Sequence, residues 1–257
     1  MIIRAVKRKD KKPSGEMGLT EHLRELRQRI FIVVVVFFTV TIVGFNFSDD
    51  LVSLLVDKAR TIGYEMIYIS PGELFTQHIR IAVMGGLVIS SPVILFETWL
   101  FIKPALNKSE KRVVFLSLMA GLLCFVLGAV FAYFVVVPIT LIFFINVDQF
   151  DSVQATITIQ NFLSFVLTTL ITFGIVFEMP VLTVLLSNLG MLKVVWLTKS
   201  RRVVIVAVFI IAAIITPPDV ISQILVAIPM LVLFEVSILI CKIISKKKKR
   251  EEYGEED

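Results

Sequence analysis

The sequence predicts an all-α integral membrane protein with six transmembrane helices and both termini cytoplasmic, and three observations carry that expectation. The chain is too apolar for a water-soluble globule, with 57% of its 257 residues hydrophobic and a mean hydropathy of +0.90. Its apolar residues gather into runs of roughly bilayer length. Its basic residues collect on alternate sides of those runs.

The runs cover residues 30–47, 75–96, 113–137, 162–186, 203–215 and 220–241. The segments before the first, between the second and third, between the fourth and fifth, and after the sixth hold every Lys and Arg except Lys58, Arg60 and Arg80. By the positive-inside rule those four segments are cytoplasmic, which requires an even number of spans. Residues 1–18 read as a basic disordered tail, 19–243 as the membrane domain and 244–257 as a charged cytoplasmic tail. A net charge of +5 and a pI near 9.2 do not imply nucleic acid, because the basic residues sit beside apolar spans, where topology and contact with the lipid bilayer explain them. No cleavable signal peptide is expected, since mostly polar residues precede the first run. Cys124 and Cys241 lie in different spans, without CxxC spacing, and read as packing residues.

Each element has its own signal. Thr20 is an expected N-cap for a short amphipathic helix, "TEHLRELRQRI", that puts His22, Glu25 and Arg29 on one face and runs into span one. The partly amphipathic segment 48–69 is expected to pack on the outer surface. "SPGE" at Ser70–Glu73 makes a capping box that starts span two, with Gln77, His78 and Arg80 on its outer turns. The outer loop 138–161 contains "ITLIFFI", too apolar for water, and is expected on the bundle or at the interface. Spans five and six are short or atypical. The thirteen residues 203–215 rise only about 20 Å against a hydrocarbon core of about 30 Å. Three arrangements remain open: the bilayer thins locally, or Arg201 and Arg202 snorkel while the Thr216–Pro217–Pro218–Asp219 turn sits below the outer surface, or the segment forms a re-entrant hairpin.

Chemistry-bearing motifs are sparse. The sequence has no Walker A loop, GxGxxG or HExxH, and no clustered metal-ligand set, so neither an enzyme nor a bound metal or cofactor is expected. Glu25 has a structural role available in an i, i+4 pair with Arg29, and Glu110 has one as the third helical residue after an Asn107 N-cap. Their functional reading is that carboxylates on a positive face offer planar acceptors for bidentate guanidinium recognition. Glu178 is the sole charge in the run 162–186. An ionised side chain near the centre of a membrane helix costs roughly 2.5–3.5 kcal/mol on insertion scales, which makes it a functional candidate. Pro180 frees the Val176 carbonyl, to which a protonated Glu178 can donate, and Gly174 one turn earlier allows a second helix to approach. Gln223 in span six either lines the same cavity or sits at the interface, and Glu235 is read as structural. A proton-coupled small-solute transporter with Glu178 as relay is the alternative function.

The stretches "TEHLRELRQRI", "SPGELF", "SPVILFETWLFIKPALNKSEKR", "GAVFAYFVVVP", "FGIVFEMP" and "TPPDVISQILVAIPM" occur in an order that resembles the TatC family, the polytopic subunit of the twin-arginine protein translocase. The resemblance spans about residues 19–242. It implies a glove-shaped six-helix bundle in the cell inner membrane that binds twin-arginine signal peptides of folded precursors. It also implies TatA-type and TatB-type single-span partners, self-association in the receptor complex, and transport driven by the proton-motive force. By motif position it places signal-peptide binding at Glu25, Arg27, Phe101, Pro104 and Glu110, and partner-helix docking at Glu178 and Gln223, beside Gly174 and Pro180. The chain departs from the family pattern at Leu74, where a proline is usual, and near Asp57, where the first outer loop lacks one.

Overall fold

The computed structural model describes residues 19–67, 69–147, 156–216 and 220–254. The tail expected over 1–18 and the turn residues 217–219 lie outside the described residues. Helix α1 (Leu19–Phe45) runs antiparallel to α3 (Pro71–Ile102), with Thr41 against Gly86, Arg29 against Glu97 and His22 against Phe101. Thr20 lies inside α1 and is not its N-cap, because a cap is the half-in residue that precedes helical backbone. The other faces of α1 leave Phe31, Phe38 and Ile42 exposed, as suits a helix turned towards lipid.

Between these helices, the amphipathic segment forms α2 (Ser48–Ile62), closed by Gly63 at φ 108°, a left-handed cap conformation that favours glycine. It leads into a strand that sequence patterning did not anticipate. Strand β1 (Glu65–Ile67) pairs in parallel with β2 (Thr156–Thr158), with Met66 opposite Ile157. Glu73 ties the same end of the bundle together. Its carboxylate accepts from the backbone N–H of Ile69 at 2.9 Å and of Ser70 at 3.4 Å, completing the capping box at Ser70. It also accepts from Gln160 N–H at 3.0 Å, in the first turn of α6 (Ile159–Asn188). One carboxylate thus satisfies orphan donors at the starts of two helices, where the helix dipole also favours negative charge.

Helix α4 (Lys108–Phe131) passes through a π-helical segment, Ala132–Val136, into α5 (Val137–Val147). The apolar "ITLIFFI" stretch is therefore helical. Pro138 has no N–H to return to the preceding turn, and the widened π turn ends beside it. The Tyr64 hydroxyl donates to the Leu141 carbonyl at 3.1 Å and pins α5 to the segment after α2.

Helix α6 runs through both cores. Towards its start Phe162, Leu163 and Val166 pack with α2, α3 and α5. Further on Phe173 packs with α8 (Arg201–Ile215) and α9 (Val220–Gly254), through Val208, Ala212, Val226 and Met230. Helices α4 and α6 cross closely, since a Cβ on Gly128 would lie 2.5 Å from the Phe173 carbonyl oxygen. A short α7 (Val194–Lys199) joins α6 to α8.

By length and composition, five helices among the described residues are able to cross a membrane: α1, α3, the continuous α4–α5, α6 and α9. The fifth apolar run of the sequence is α8, whose 15 residues span about 22 Å. Helix α9 continues through the Lys246–Arg250 run to Gly254, so the expected charged tail begins as helix, in keeping with the high helix propensity of Lys and Glu.

Candidate functional site

Two regions collect most of the residues singled out by sequence, Gln223 excepted. The first lies where the start of α1 meets the end of α3. Arg29 spans the two helices. Its Nε donates to Glu25 Oε1 at 3.1 Å and its Nη2 donates to the same oxygen, while Nη1 donates to Glu97 Oε2 at 2.9 Å. The three side chains are mostly buried, whereas Glu25 Oε2 is buried without a hydrogen-bond partner. One heptad before Arg29, His22 stacks on Phe101 with ring centroids 4.3 Å apart. Arg27 is exposed on the same helix.

Beyond α3 the chain makes one 3-10 turn, Lys103–Ala105, that carries the exposed Pro104. Lys103 Nζ sits 4.5 Å from the Trp99 ring centroid. Glu110 folds back on the start of its own helix, where its carboxylate accepts from Asn107 N–H at 2.9 Å and Asn107 Nδ2 at 3.3 Å. The structural pairings available in the sequence, Glu25 with Arg29 and Glu110 with Asn107, are thus both formed. Glu97 was missed by sequence reasoning. Its signal was its place as the charge that ends the apolar run 75–96, one turn before Phe101 on the same helical face.

The second region is a groove of about 190 Å³ between α3, α4 and α6, lined by Leu95, Ser117, Gly121, Glu178, Leu182 and Leu185. The Glu178 carboxyl lies over Gly121, where a Cβ would meet its Oε2 at 2.6 Å. The expected hydrogen bond from Glu178 to a local backbone carbonyl is not formed; the carboxyl faces the groove. The helix that approaches Gly174 is the chain's own α4, because a Cβ there would lie 2.6 Å from the Phe125 ring. Pro180 sits inside α6.

Gln223 does not line this groove. Its Nε2 donates to the Phe209 carbonyl at 2.8 Å and closes the α8–α9 hairpin. Helices α6 and α9 run parallel, with Ser187 beside Cys241 and Phe173 in one cluster with Ala227. In that register Gln223 lies about nine residues, or roughly 14 Å, along the axis from the level of Glu178. Glu235 pairs with Arg201 at 2.8 Å, the structural role read for it. Among the described residues no group of His, Cys, Asp and Glu is placed to hold a metal ion.

Both regions, and every helix as far as the first part of α9, fall within the residues matched by a single family model, that of the Sec-independent protein translocase protein (TatC), over residues 21–229. The chain belongs to the TatC family. Among similar proteins, the TatC of Aquifex aeolicus is 40% identical over 237 residues, covering 91% of this chain and 98% of that protein. The TatC of Escherichia coli K12 is 39% identical over 238 residues, covering 91% and 92%. A crystal structure of the twin-arginine translocase receptor TatC superposes with a TM-score of 0.79 at 38% identity, covering 88% of this chain and all of that one. The chain is therefore a multi-pass membrane protein of a protein translocase, and the TatC family is one of protein transport, not of enzymes.

Proposed function

We propose that this chain is the receptor of its translocase: it binds twin-arginine signal peptides of folded precursors at the end of the bundle formed by Glu25, Arg27, Phe101, Pro104 and Glu110. It then scaffolds TatA-type and TatB-type single-span partners at the Glu178 groove. In this reading six helices span the inner membrane, α8 included, and both termini are cytoplasmic. The observation that carries the proposal is Glu25 itself, which already holds a guanidinium through two N–H donors on one oxygen. A twin-arginine peptide presents the same planar group, and Lys cannot reproduce its fork.

The test is crosslinking of a twin-arginine signal peptide to the full-length protein. Glu25→Lys and Glu110→Lys are each expected to reduce the yield at least about tenfold, because breaking a charge-assisted pair and placing like charge there costs well over 1.4 kcal/mol. Unchanged crosslinking in both would remove the site. Replacing the peptide's arginines with lysine is expected to weaken binding as well. The transporter reading predicts Glu178-dependent solute flux from liposomes containing this chain alone, and TatC family membership disfavours it.

A further inference from the structure

The recognition groups are not standing empty. Phe101 is covered by His22, and Glu25 is held by Arg29 through one carboxylate oxygen while the other is buried with no partner. A buried acceptor without a donor is costly, of order 1–3 kcal/mol. A second N–H donor arriving at that oxygen would relieve the cost. Arg29 is meanwhile divided between two carboxylates on different helices, with a 2.9 Å bond already made to Glu97. It can release Glu25 and remain paired, so its own charge is never stranded in a poorly hydrated position.

We infer that Arg29 is a built-in occupant of Glu25, and that Glu97 is the carboxylate that retains Arg29 when a peptide guanidinium takes its place. Glu97 then acts through Arg29 as a positioning residue and need not touch the peptide. The exchange swaps one guanidinium for another on Glu25 and conserves the number of ion pairs. It also sharpens selectivity, because a lysine ammonium, a single point of charge, must displace an arginine that already uses two donors. A peptide with two arginines satisfies the orphaned oxygen and competes for the occupied one together.

This inference rests on the reading of Glu25 as a signal-binding carboxylate, and a double-mutant cycle separates the two. Affinity is measured by fluorescence anisotropy on the purified full-length protein in detergent. The probe is a labelled synthetic peptide with an Arg-Arg pair ahead of an apolar segment, and a Lys-Lys version is the control. Work at about 0.15 M salt limits effects between exposed charges more than about 8 Å apart. Arg29→Gln should tighten binding roughly three- to tenfold, the scale of one competing charge-assisted contact. Glu97→Gln should weaken it by a similar factor, because Arg29 is then left to Glu25 alone, while Glu97→Asp should largely restore it. In the Arg29→Gln background, Glu97→Gln should change affinity by less than about twofold, since the residue it acts through is gone.

Arg29→Lys keeps the charge between the carboxylates and should also bind more tightly than wild type, which preserves the test if the Gln variant does not fold. Arg29 variants that bind no better than wild type overturn the exchange. Equal weakening by Glu97→Gln in both backgrounds overturns it too, by making Glu97 a direct peptide contact. Wild-type protein that ignores the peptide, or binds it regardless of Glu25→Lys, refutes instead the placement of the signal site.

Discussion

Gly121 and Gly128 lie on one face of α4, yet the same substitution at each is expected to have opposite kinds of effect. At Gly128 an added Cβ meets the Phe173 backbone carbonyl at 2.5 Å, and backbone of a packed helix cannot step aside. Gly128→Ala should therefore destabilise the protein by about 1–3 kcal/mol, read as a lower unfolding temperature in detergent. At Gly121 the Cβ meets the end of a flexible side chain, Glu178 Oε2, which can rotate away at little cost to the fold. Gly121→Ala should leave unfolding nearly unchanged while displacing the carboxyl from the groove, and so lower co-purification of single-span partners. Glu178→Ala should lower it as well, and Glu178→Gln should largely preserve it, because a neutral amide can still hydrogen-bond to a docked helix. Equal damage from Gln and Ala would mean that the charge of Glu178 matters and would sink the docking account. Of these residues only Glu178 stood out in the sequence. A lone acid in an apolar run is visible at once, whereas the difference between two glycines depends on what α6 places opposite them.

At the scale of elements, Glu73 couples two helices that lie far apart in the chain. Removing its carboxylate in Glu73→Ala frees three backbone donors and should cost about 1–3 kcal/mol. Glu73→Gln keeps an acceptor oxygen and should cost less. The measurement is thermal unfolding of both variants in the same detergent, and an Ala variant as stable as wild type would show that the α3–α6 link is not needed. The capping boxes at Ser70 and Asn107 were readable because their partners are three residues apart. The bond to Gln160, the β1–β2 pair and the Arg29–Glu97 bridge were not, since each depends on which helices the bundle sets side by side. The helical nature of 137–147 was hidden for another reason. Pro138 reads locally as a terminator, yet the helix continues past it from the π turn over Ala132–Val136.

For the whole molecule the quantity that sets topology is the parity of the spans. The five helices of sufficient length would place the two ends of the chain on opposite faces of the membrane, and a crossing by the 15-residue α8 would bring them to the same face. The basic residues favour the second arrangement, because Lys193, Lys199, Arg201 and Arg202 precede α8 while Lys242 and the run 246–250 end α9. The Gln223–Phe209 contact, midway along α8, and the Arg201–Glu235 contact at its start keep the two helices side by side over that stretch. A hairpin of this kind either reaches the far face with local thinning of the bilayer or turns back inside it. Single cysteines introduced at Ser53, Val220 and Lys246, with Cys124 and Cys241 replaced by alanine, separate the cases when a membrane-impermeant maleimide is applied to intact cells. Six spans predict labelling at Ser53→Cys and Val220→Cys, with Lys246→Cys reacting only after permeabilisation. Labelling at Ser53→Cys alone would make the hairpin re-entrant. Labelling of Lys246→Cys in intact cells would leave five spans and place the C-terminal basic run outside, against the charge asymmetry on which the cytoplasmic placement of Glu25 and Glu110 depends.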